Sequence, residues 1–315
     1  MSYEEDVGVI RRQRGRPPKY TTTLHTDVSL LEGEQQVQHE PTQDRHLEHR
    51  EASLSALLEP EASDDALDIQ NTQFSHVREV KKDIYHDVLE LLATTVDEET
   101  RRWQIILAIF QYALVQMDAE RHGIAITYAT LMPAHADGIH SLYEVAMRGT
   151  EPWPFSIEGQ AYLGSTTLAG TATMEQRMLI WDSLDETVRW QVEVDEFEKS
   201  ACACPVTRAG RIAGVLIISS AQPGFFTNDL ANQAVVEYAN LLALAFSDDA
   251  FHSYAQLRLA PMPPLKQQRE EIRETLMYRI MTLARTAGLS RSEAATRVQG
   301  ILEQEFEERV QSLQE

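Results

Sequence analysis

The sequence has 315 residues, of which 43% are hydrophobic, and a formal net charge of −21 at pH 7. This length favours about two domains, and the hydrophobic fraction is that of a chain with a buried core. So strong a negative charge repels polyanions and disfavours nucleic-acid binding by the body of the protein. The only two cysteines, Cys202 and Cys204, exclude a disulfide framework and are typical of a reducing compartment. No run reaches the roughly 18 consecutive apolar residues of a membrane helix, and residues 1–10 carry acids where a signal peptide is basic, so we expect a cytoplasmic protein.

Residues 11–20, "RRQRGRPPKY", carry five positive charges in this acidic chain. The run "RGRPPKY" resembles an AT-hook, a motif that binds A/T-rich DNA through the minor groove. The resemblance implies that Arg14 and Arg16 lie along the groove floor, where narrow A·T tracts concentrate negative potential. A merely solvated basic tail is the alternative. The DNA-binding candidates, which include a glycine to enter the groove and basic flanks to neutralise phosphates, are Arg11, Arg12, Arg14, Gly15, Arg16, Pro17 and Lys19.

Residues 21–75 form an acidic segment with twelve Asp or Glu residues, two Arg and a single aromatic residue, Phe74. Such a segment buries too little apolar surface to offset the entropy of ordering, so we predict a disordered tail over residues 1–75. The segment separates the basic run from the acidic body. It could also fold back on the basic run and compete with DNA.

Regular periodicity begins near residue 76. Apolar residues recur at steps of three and four over residues 76–96, which predicts an amphipathic linker helix. A second helix follows in "DEETRRWQIILAIFQYALVQMDAERHG", with Gly123 where it would stop. The pattern then predicts strands in "GIAITYATLM", "HSLYEVAMR" and "RMLIWD", a short helix in "GSTTLAGTATMEQ", and a hairpin with Gly210 in its turn. A long helix with Thr227 as its N-cap closes this region.

The order of these elements resembles that of a GAF domain, and three runs of sequence strengthen the resemblance. "STTLAG" is similar to the family's small-residue segment before a helix, and "RMLIWD" to its strand that ends in aspartate. The most specific run, "EKSACACPVTRAGRIAGVLIISSAQPGFFTNDL", is similar to the family's paired strands, glycine turn and "FT-x-D" helix start. The resemblance covers residues 97–250. It implies an α+β fold, a GAF-type antiparallel sheet sandwiched by helices, with a binding role and dimerisation through flanking helices.

The resemblance does not identify a ligand. Phytochrome-like GAF domains attach a bilin to a cysteine, and no cysteine lies between Gly123 and Ala201. Residues 221–229 lack the N-K-x-n-F-x-x-x-D-E pattern of cyclic-nucleotide-binding members, and two adjacent cysteines do not reproduce the spread arrangement of free methionine sulfoxide reductases. We therefore expect that the chain is not an enzyme. Aromatic side chains and thiols around the expected pocket could bind a small molecule, with core packing as the alternative. These candidates are Trp153, Phe155, Tyr162, Trp181, Cys202 and Cys204.

Cys202 and Cys204 lie two residues apart on a predicted strand, so their side chains share one face. Two thiols on one face suit redox sensing or ligand binding where a nearby cation lowers their pKa, and otherwise act as small apolar core residues. No metal site is expected, because "CAC" has no partner pair of ligands and the histidines are scattered.

The C-terminal residues 265–315 predict a helical hairpin. The run "LAPMPPLKQQ" breaks the chain with three prolines, and two amphipathic helices follow, with Gly288 ending the first. Ser290 and Glu293 predict a capping box for the second helix. The run "LARTAGLSRSEAATRV" is similar to a helix-turn-helix, but Arg297 stands where that motif has an apolar anchor. We therefore favour dimerisation or partner docking by this hairpin, whose apolar faces require a partner surface from their own chain or another.

Together these features predict a transcriptional regulator. A GAF domain, homodimeric through its flanking helices, would respond to a small molecule or a protein partner while the N-terminal tail contacts A/T-rich DNA. Two alternatives stay open at this stage. One is a ligand-free GAF scaffold that docks protein partners, and the other is a thiol-dependent redox enzyme or sensor that uses Cys202 or Cys204.

Overall fold

The computed structural model describes residues 77, 79–156, 160–184 and 194–314, all within one unit, Pro60–Glu315. The predicted DNA-contacting run 11–20 and the acidic segment 21–75 lie outside the described residues. The helices are α1 (Lys82–Thr94), α2 (Glu98–Met117), α3 (Leu168–Glu175), α4 (Asp229–Ala243), α5 (Leu265–Ala287) and α6 (Arg291–Gln314). The strands are β1 (Ile124–Leu131), β2 (Leu142–Gly149), β3 (Tyr162–Leu163), β4 (Leu179–Asp182), β5 (Ser200–Arg208), β6 (Arg211–Ser220) and β7 (His252–Ser253).

One antiparallel sheet, with the strand order β3-β2-β1-β6-β5-β4, organises these elements, and β7 pairs with the start of β6. β5 and β6 form the predicted hairpin, in which Ala209 and Gly210 both have positive φ, 51° and 72°, as a tight two-residue turn requires. Because successive side chains of a strand point to opposite faces and both sets are apolar here, each face of the sheet needs a cover.

The first face of the sheet packs against α2 and α4, and α1 packs on α2 in the layer beyond. The apolar stripes that predicted these helices meet the sheet in one continuous buried cluster, so the periodicity of the sequence and the observed packing agree. The members of this cluster include Ile105, Ile109 and Phe110 of α2, Val235, Tyr238 and Leu242 of α4, and Ile126, Tyr128 and Ile218 of the sheet.

The second face is only partly covered by α3, which has eight residues. Thr167 caps this helix, since its Oγ1 accepts a hydrogen bond from the backbone N–H of Gly170 at 3.0 Å. Leu168 and Ala172 of α3 pack with residues of β5 and β6 in a second buried cluster. Helices therefore lie on both sides of the sheet, which confirms the predicted α+β class.

The predicted C-terminal hairpin is present as α5 and α6, and it packs against β2 and β3. Gly288 ends α5 in the left-handed conformation, with a φ of 64°. Ser290 and Glu293 form the capping box, with N···O distances of 2.9 Å and 3.2 Å. The chain itself supplies a partner surface for the apolar faces of the hairpin, in a cluster formed by Tyr143, Tyr162, Ile272, Ile280, Val298, Leu302 and Phe306.

Two helix boundaries differ from the prediction. α2 ends at Met117 rather than near Gly123, because the Asp118 carboxylate accepts hydrogen bonds from the backbone of the loop that follows. The N-cap of α4 is Asn228 rather than Thr227, since the Asn228 carboxamide oxygen accepts from two backbone N–H groups of the first turn at 2.8 Å and 3.3 Å. None of the described helices is long and apolar enough to cross a membrane.

Two helical glycines allow a matched test of this packing. A Cβ at Gly170 would clash with the backbone carbonyl of Gly164, whereas a Cβ at Gly300 in α6 meets nothing within 4 Å. We expect Gly170→Ala to lower the free energy of unfolding by about 1–3 kcal/mol through overpacking. Gly300→Ala should raise it by about 0.5–1 kcal/mol through helix propensity. Urea unfolding measures both, and equal effects of the two changes would contradict the close contact between α3 and the loop before it.

Candidate functional site

A pocket opens between the sheet, α3 and α5, where the short α3 leaves the sheet uncovered. Its cavity volume is about 60 Å³, and it opens to solvent on one side. Small side chains of the sheet, including Ala125, Thr127 and Ala201, line it, while Leu168 of α3 and Leu265 of α5 contribute apolar groups. The charged residues that line it are Glu144, Asp195, Glu198 and Arg269.

Glu144 is a buried carboxylate in β2, with 4% of its surface exposed. It accepts hydrogen bonds from the backbone N–H of Ala161 at 2.9 Å and from Nη2 of Arg269 at 3.0 Å. Burial raises the pKa of this carboxyl and Arg269 lowers it, with a net upward direction. The carboxylate is therefore held in a site that tolerates its charge only because a cation lies beside it.

Arg269 reaches the pocket from α5 and joins two carboxylates. Its Nη1 donates to Oδ2 of Asp195 at 2.7 Å, while Nη2 donates to Glu144. Burial opposes the charge of the guanidinium, but the two carboxylates more than offset this and raise its pKa. The C-terminal hairpin thus contributes directly to the pocket of the sheet domain.

Glu198 lies at the rim of the pocket, in the segment that leads into β5. Its Oε2 accepts a hydrogen bond from Oγ of Ser219 at 2.6 Å. Burial raises the pKa of Glu198 to about 7, although the hydrogen bond from Ser219 lowers it. Among the described residues, the ion pairs within the pocket join Arg269 to Glu144 and Asp195, and no cation pairs with Glu198. The pocket therefore holds three carboxyl groups and one guanidinium, and Glu198 is the carboxyl without an ion-pair contact to that cation.

The predicted aromatic candidates are not brought together. Trp153 lines the pocket, is 5% exposed and makes an edge-to-face contact with Phe197, their ring centroids 6.2 Å apart. Phe155 is 72% exposed, with the Arg148 guanidinium 5.1 Å from its ring centre. Of the four aromatic candidates, Trp153 is therefore the one in the pocket wall.

Tyr162 and Trp181 lie elsewhere in the fold. Tyr162 is buried between β2 and the hairpin, and its hydroxyl donates to the backbone carbonyl of Gln299 at 2.8 Å. Trp181 of β4 is half-buried and stands opposite Ala201 in β5 without lining the pocket. Both side chains serve packing here, the alternative stated for them from the sequence.

Cys202 and Cys204 are buried on the face of the sheet that points away from the pocket. Alternation along β5 places Ala201 in the pocket wall and both thiols in the cluster with α2 and α4. Burial raises the pKa of Cys204 to about 11 and raises that of Cys202 well above its usual value. Both groups are therefore protonated thiols at neutral pH, and their buried surroundings do not activate them as nucleophiles.

Two histidines between β1 and β2 contact the hairpin. His135 and His140 stack with ring centroids 4.7 Å apart, and their ring nitrogens lie 3.1 Å from a carboxylate oxygen of Glu303 and 2.8 Å from one of Glu307, respectively. These contacts join α6 to the loop between β1 and β2. Within the described ranges, no group of three or more His, Cys, Asp or Glu side chains is arranged to hold a metal ion.

The sequence alone did not indicate the charged residues of the pocket. Glu144 occupies a polar position of an alternating strand, where a solvent-facing acid is the ordinary outcome, and only its central place in an otherwise apolar run signals burial. Arg269 lies in a helix that the sequence assigns to a separate hairpin. Nothing in its local sequence indicates that it reaches a pocket formed by the sheet.

The sheet order and the helices on its two faces define an α+β domain built on one antiparallel sheet. Solved structures that the chain resembles include the GAF domain of an Acinetobacter phosphoenolpyruvate-protein phosphotransferase, with 15% identity, a TM-score of 0.35, and coverage of 58% of this chain and 93% of that one. They also include a type II free methionine-R-sulfoxide reductase from Thermoplasma acidophilum, with 17% identity, a TM-score of 0.37, and coverage of 50% and 99%. At these identities the likeness concerns the fold alone. No protein-family model matches the sequence, and no curated protein matches it.

The expectation that the chain is not an enzyme is wrong as a conclusion from fold and cysteine spacing. The similar structures include several free methionine-R-sulfoxide reductases, among them one from Neisseria meningitidis in complex with its substrate, at 13% identity, a TM-score of 0.37 and coverage of 56% and 95%. Function depends on the residues grafted onto a fold rather than on the fold itself, so a resemblance in fold does not exclude catalysis.

The pKa of Glu198 predicts a pH dependence of stability. The folded state keeps a proton on this carboxyl up to about pH 7, whereas the unfolded chain loses it near 4.5, so stability falls as pH rises between these values. We expect the Tm of the wild type to fall more steeply from pH 5 to pH 8 than that of Glu198→Gln. The exposed neighbour Glu196 provides the control, and Glu196→Gln should follow the wild type. Parallel curves for wild type and Glu198→Gln would show that Glu198 is not desolvated.

The burial of the two thiols predicts that they are unreactive in the folded protein. With iodoacetamide at pH 7.5, neither Cys202 nor Cys204 should be alkylated in the native state, and both should be alkylated in urea, as measured by mass spectrometry. The exposed position Ser292 on α6 supplies the control, because Ser292→Cys should react without denaturant. Alkylation of Cys204 in native protein at the rate of that control would contradict its burial.

Proposed function

We propose that the chain is a sensory or regulatory protein whose GAF-like domain binds a small molecule bearing a positively charged group. The observation that carries this proposal is the set of three carboxylates, Glu144, Asp195 and Glu198, in a pocket that contains one guanidinium, Arg269. Perturbed carboxyl groups converging on a concave, partly apolar pocket are the ordinary signature of a binding site.

Charge explains why a cation suits this pocket. Glu198 lacks a cationic partner among the described residues, and its pKa near 7 reflects the cost of ionising it there. An ammonium or guanidinium group placed beside it favours the ionised form and recovers part of that cost. Trp153 in the same wall offers an aromatic surface for the apolar part of such a ligand or for the cation itself.

The regulatory role of the whole chain is likewise a proposal, as are the DNA contact and the homodimer that belong to it. A GAF-like fold suits a domain that senses a ligand and passes the signal to a partner, whereas DNA contact by residues 11–20 and homodimerisation are expectations that rest on sequence. The alternative, a ligand-free scaffold for protein partners, leaves the pocket empty in the cell. Native mass spectrometry of the purified protein separates the two, since it measures both a co-purified small molecule and the oligomeric state.

Three probes that share one ring test the charge preference. Benzylamine, benzyl alcohol and benzoate have similar size, so differences in their effect on Tm report the charge that the pocket prefers. We expect benzylamine to raise the Tm most. A ligand at about 100 times its Kd adds about 2.7 kcal/mol of stability, which corresponds to several degrees for a domain of this size. Choline and agmatine extend the series to other cations.

Substitutions localise the effect to the pocket. Glu198→Gln should remove most of the stabilisation by benzylamine, while the exposed Glu196→Gln should leave it unchanged. The affinity of wild type for a cationic probe should rise with pH through about 7, because the cation binds the ionised form of Glu198. Stabilisation by benzoate greater than by every cationic probe would refute the proposed ligand class.

A further inference from the structure

The carboxylates of the pocket already hold a cation from the same chain. The guanidinium of Arg269 lies between Glu144 of β2 and Asp195 of the segment before β5, with N···O distances of 3.0 Å and 2.7 Å. Its side chain is 22% exposed, and that of Glu144 is 5% exposed. Among the described residues, neither carboxylate pairs with another cation. An external cation can therefore pair with them only if the Arg269 side chain moves.

The contacts of Arg269 are incomplete. Each carboxylate receives one nitrogen of the guanidinium, so neither pair has the two parallel hydrogen bonds of a bidentate pair. Nε of Arg269 is buried and makes no hydrogen bond with the described residues, which costs free energy. Arg309 of the same hairpin shows the contrast, because it holds Glu271 through two nitrogens, at 2.8 Å and 3.3 Å. Arg269 thus divides its hydrogen bonds between two carboxylates, whereas Arg309 places both on one.

The hairpin does not depend on Arg269 for its position. The neighbouring Gln268 is fully buried, and its amide oxygen accepts from the backbone N–H of Tyr162 at 2.8 Å while its nitrogen donates to the carbonyl of the same residue at 3.1 Å. Phe306 of α6 packs edge-to-face on Tyr162, and Glu303 accepts from the hydroxyl of Ser141 at 2.6 Å. The long side chain of Arg269 can therefore change its rotamer while α5 and α6 stay in place.

From these contacts we propose that Arg269 is an internal competitor, a tethered cation that occupies a second cation subsite, formed by Glu144 and Asp195, until an external cationic ligand displaces it. The inference rests on the proposed function, and it adds how the C-terminal hairpin regulates that site. Displacement releases the guanidinium of Arg269, a residue of α5, from both carboxylates. Ligand binding therefore changes where the hairpin carries this positive charge. The apparent affinity for an external cation is reduced by the fraction of molecules in which Arg269 holds the subsite.

Ethylguanidinium, which carries the same head group as arginine, is the probe for this competition. Isothermal titration of the full-length protein should give a Kd for Arg269→Ala that is about tenfold lower than for the wild type, as expected if the subsite is free in about one tenth of wild-type molecules. Arg273→Ala removes an exposed arginine one turn further along α5 and should bind as the wild type does. Should Arg269→Ala fold poorly, Arg269→Met keeps the aliphatic stem and takes its place. Adding Glu144→Gln to either variant should abolish the gain.

The inference is overturned if the removal of Arg269 brings no gain in affinity for ethylguanidinium. If Arg269 pairs with an anionic part of the ligand instead, its removal weakens binding of zwitterionic probes and brings no gain for ethylguanidinium. A wild type that binds ethylguanidinium as tightly as both Arg269 variants refutes the competition but leaves the proposed function standing. Failure of ethylguanidinium, benzylamine and agmatine to bind the wild type and both variants refutes the proposed function itself.

Discussion

An antiparallel sheet whose two faces both carry apolar side chains is the constraint on which the other features depend. Two long helices, α2 and α4, cover the first face, but the second face receives α3, an eight-residue helix that is too short to cover it. The uncovered area must meet another part of the chain, a ligand or water. The pocket occupies this area, and α5 supplies the wall that α3 does not reach. The part of the second sheet face that α3 leaves uncovered therefore accounts both for the pocket and for the packing of the C-terminal hairpin beside it.

The same geometry explains the electrostatics of the pocket. Carboxylates that leave water for a half-closed cleft lose hydration, and their attraction to a single guanidinium offsets that loss only in part. Glu144 obtains a cation and a backbone N–H, whereas Glu198 obtains only a hydroxyl, and this difference is why its pKa comes near neutrality. An arrangement so poorly neutralised is unfavourable for folding alone. Under the proposed function, a charged molecule from outside the chain would offset part of that cost.

The sequence predicted the parts of this structure that depend on local periodicity. The strands, the long helices, the hairpin turn at Gly210 and the capping box of Ser290 and Glu293 all follow from spacing over a few residues. The site depended on contacts distant in sequence and was largely missed. Trp153 is a candidate because aromatic residues often line pockets. Arg269 and Glu144, by contrast, are more than a hundred residues apart in sequence, and local periodicity carries no information about contacts at that separation. The cysteines show the converse, because alternation along β5 placed them on one face but could not tell which face borders the pocket.

The side chain of Gln268 hydrogen-bonds to the edge strand β3 as the backbone of a further strand would. Its side-chain amide engages both the N–H and the carbonyl of Tyr162, which are the backbone groups that this edge of the sheet would otherwise leave open. Open edges of this kind recruit strands from other molecules and promote aggregation. The sheet domain and the hairpin are consequently one folding and solubility unit. A fragment cut after residue 250 would lose that cover and expose the rings of Tyr143 and Tyr162.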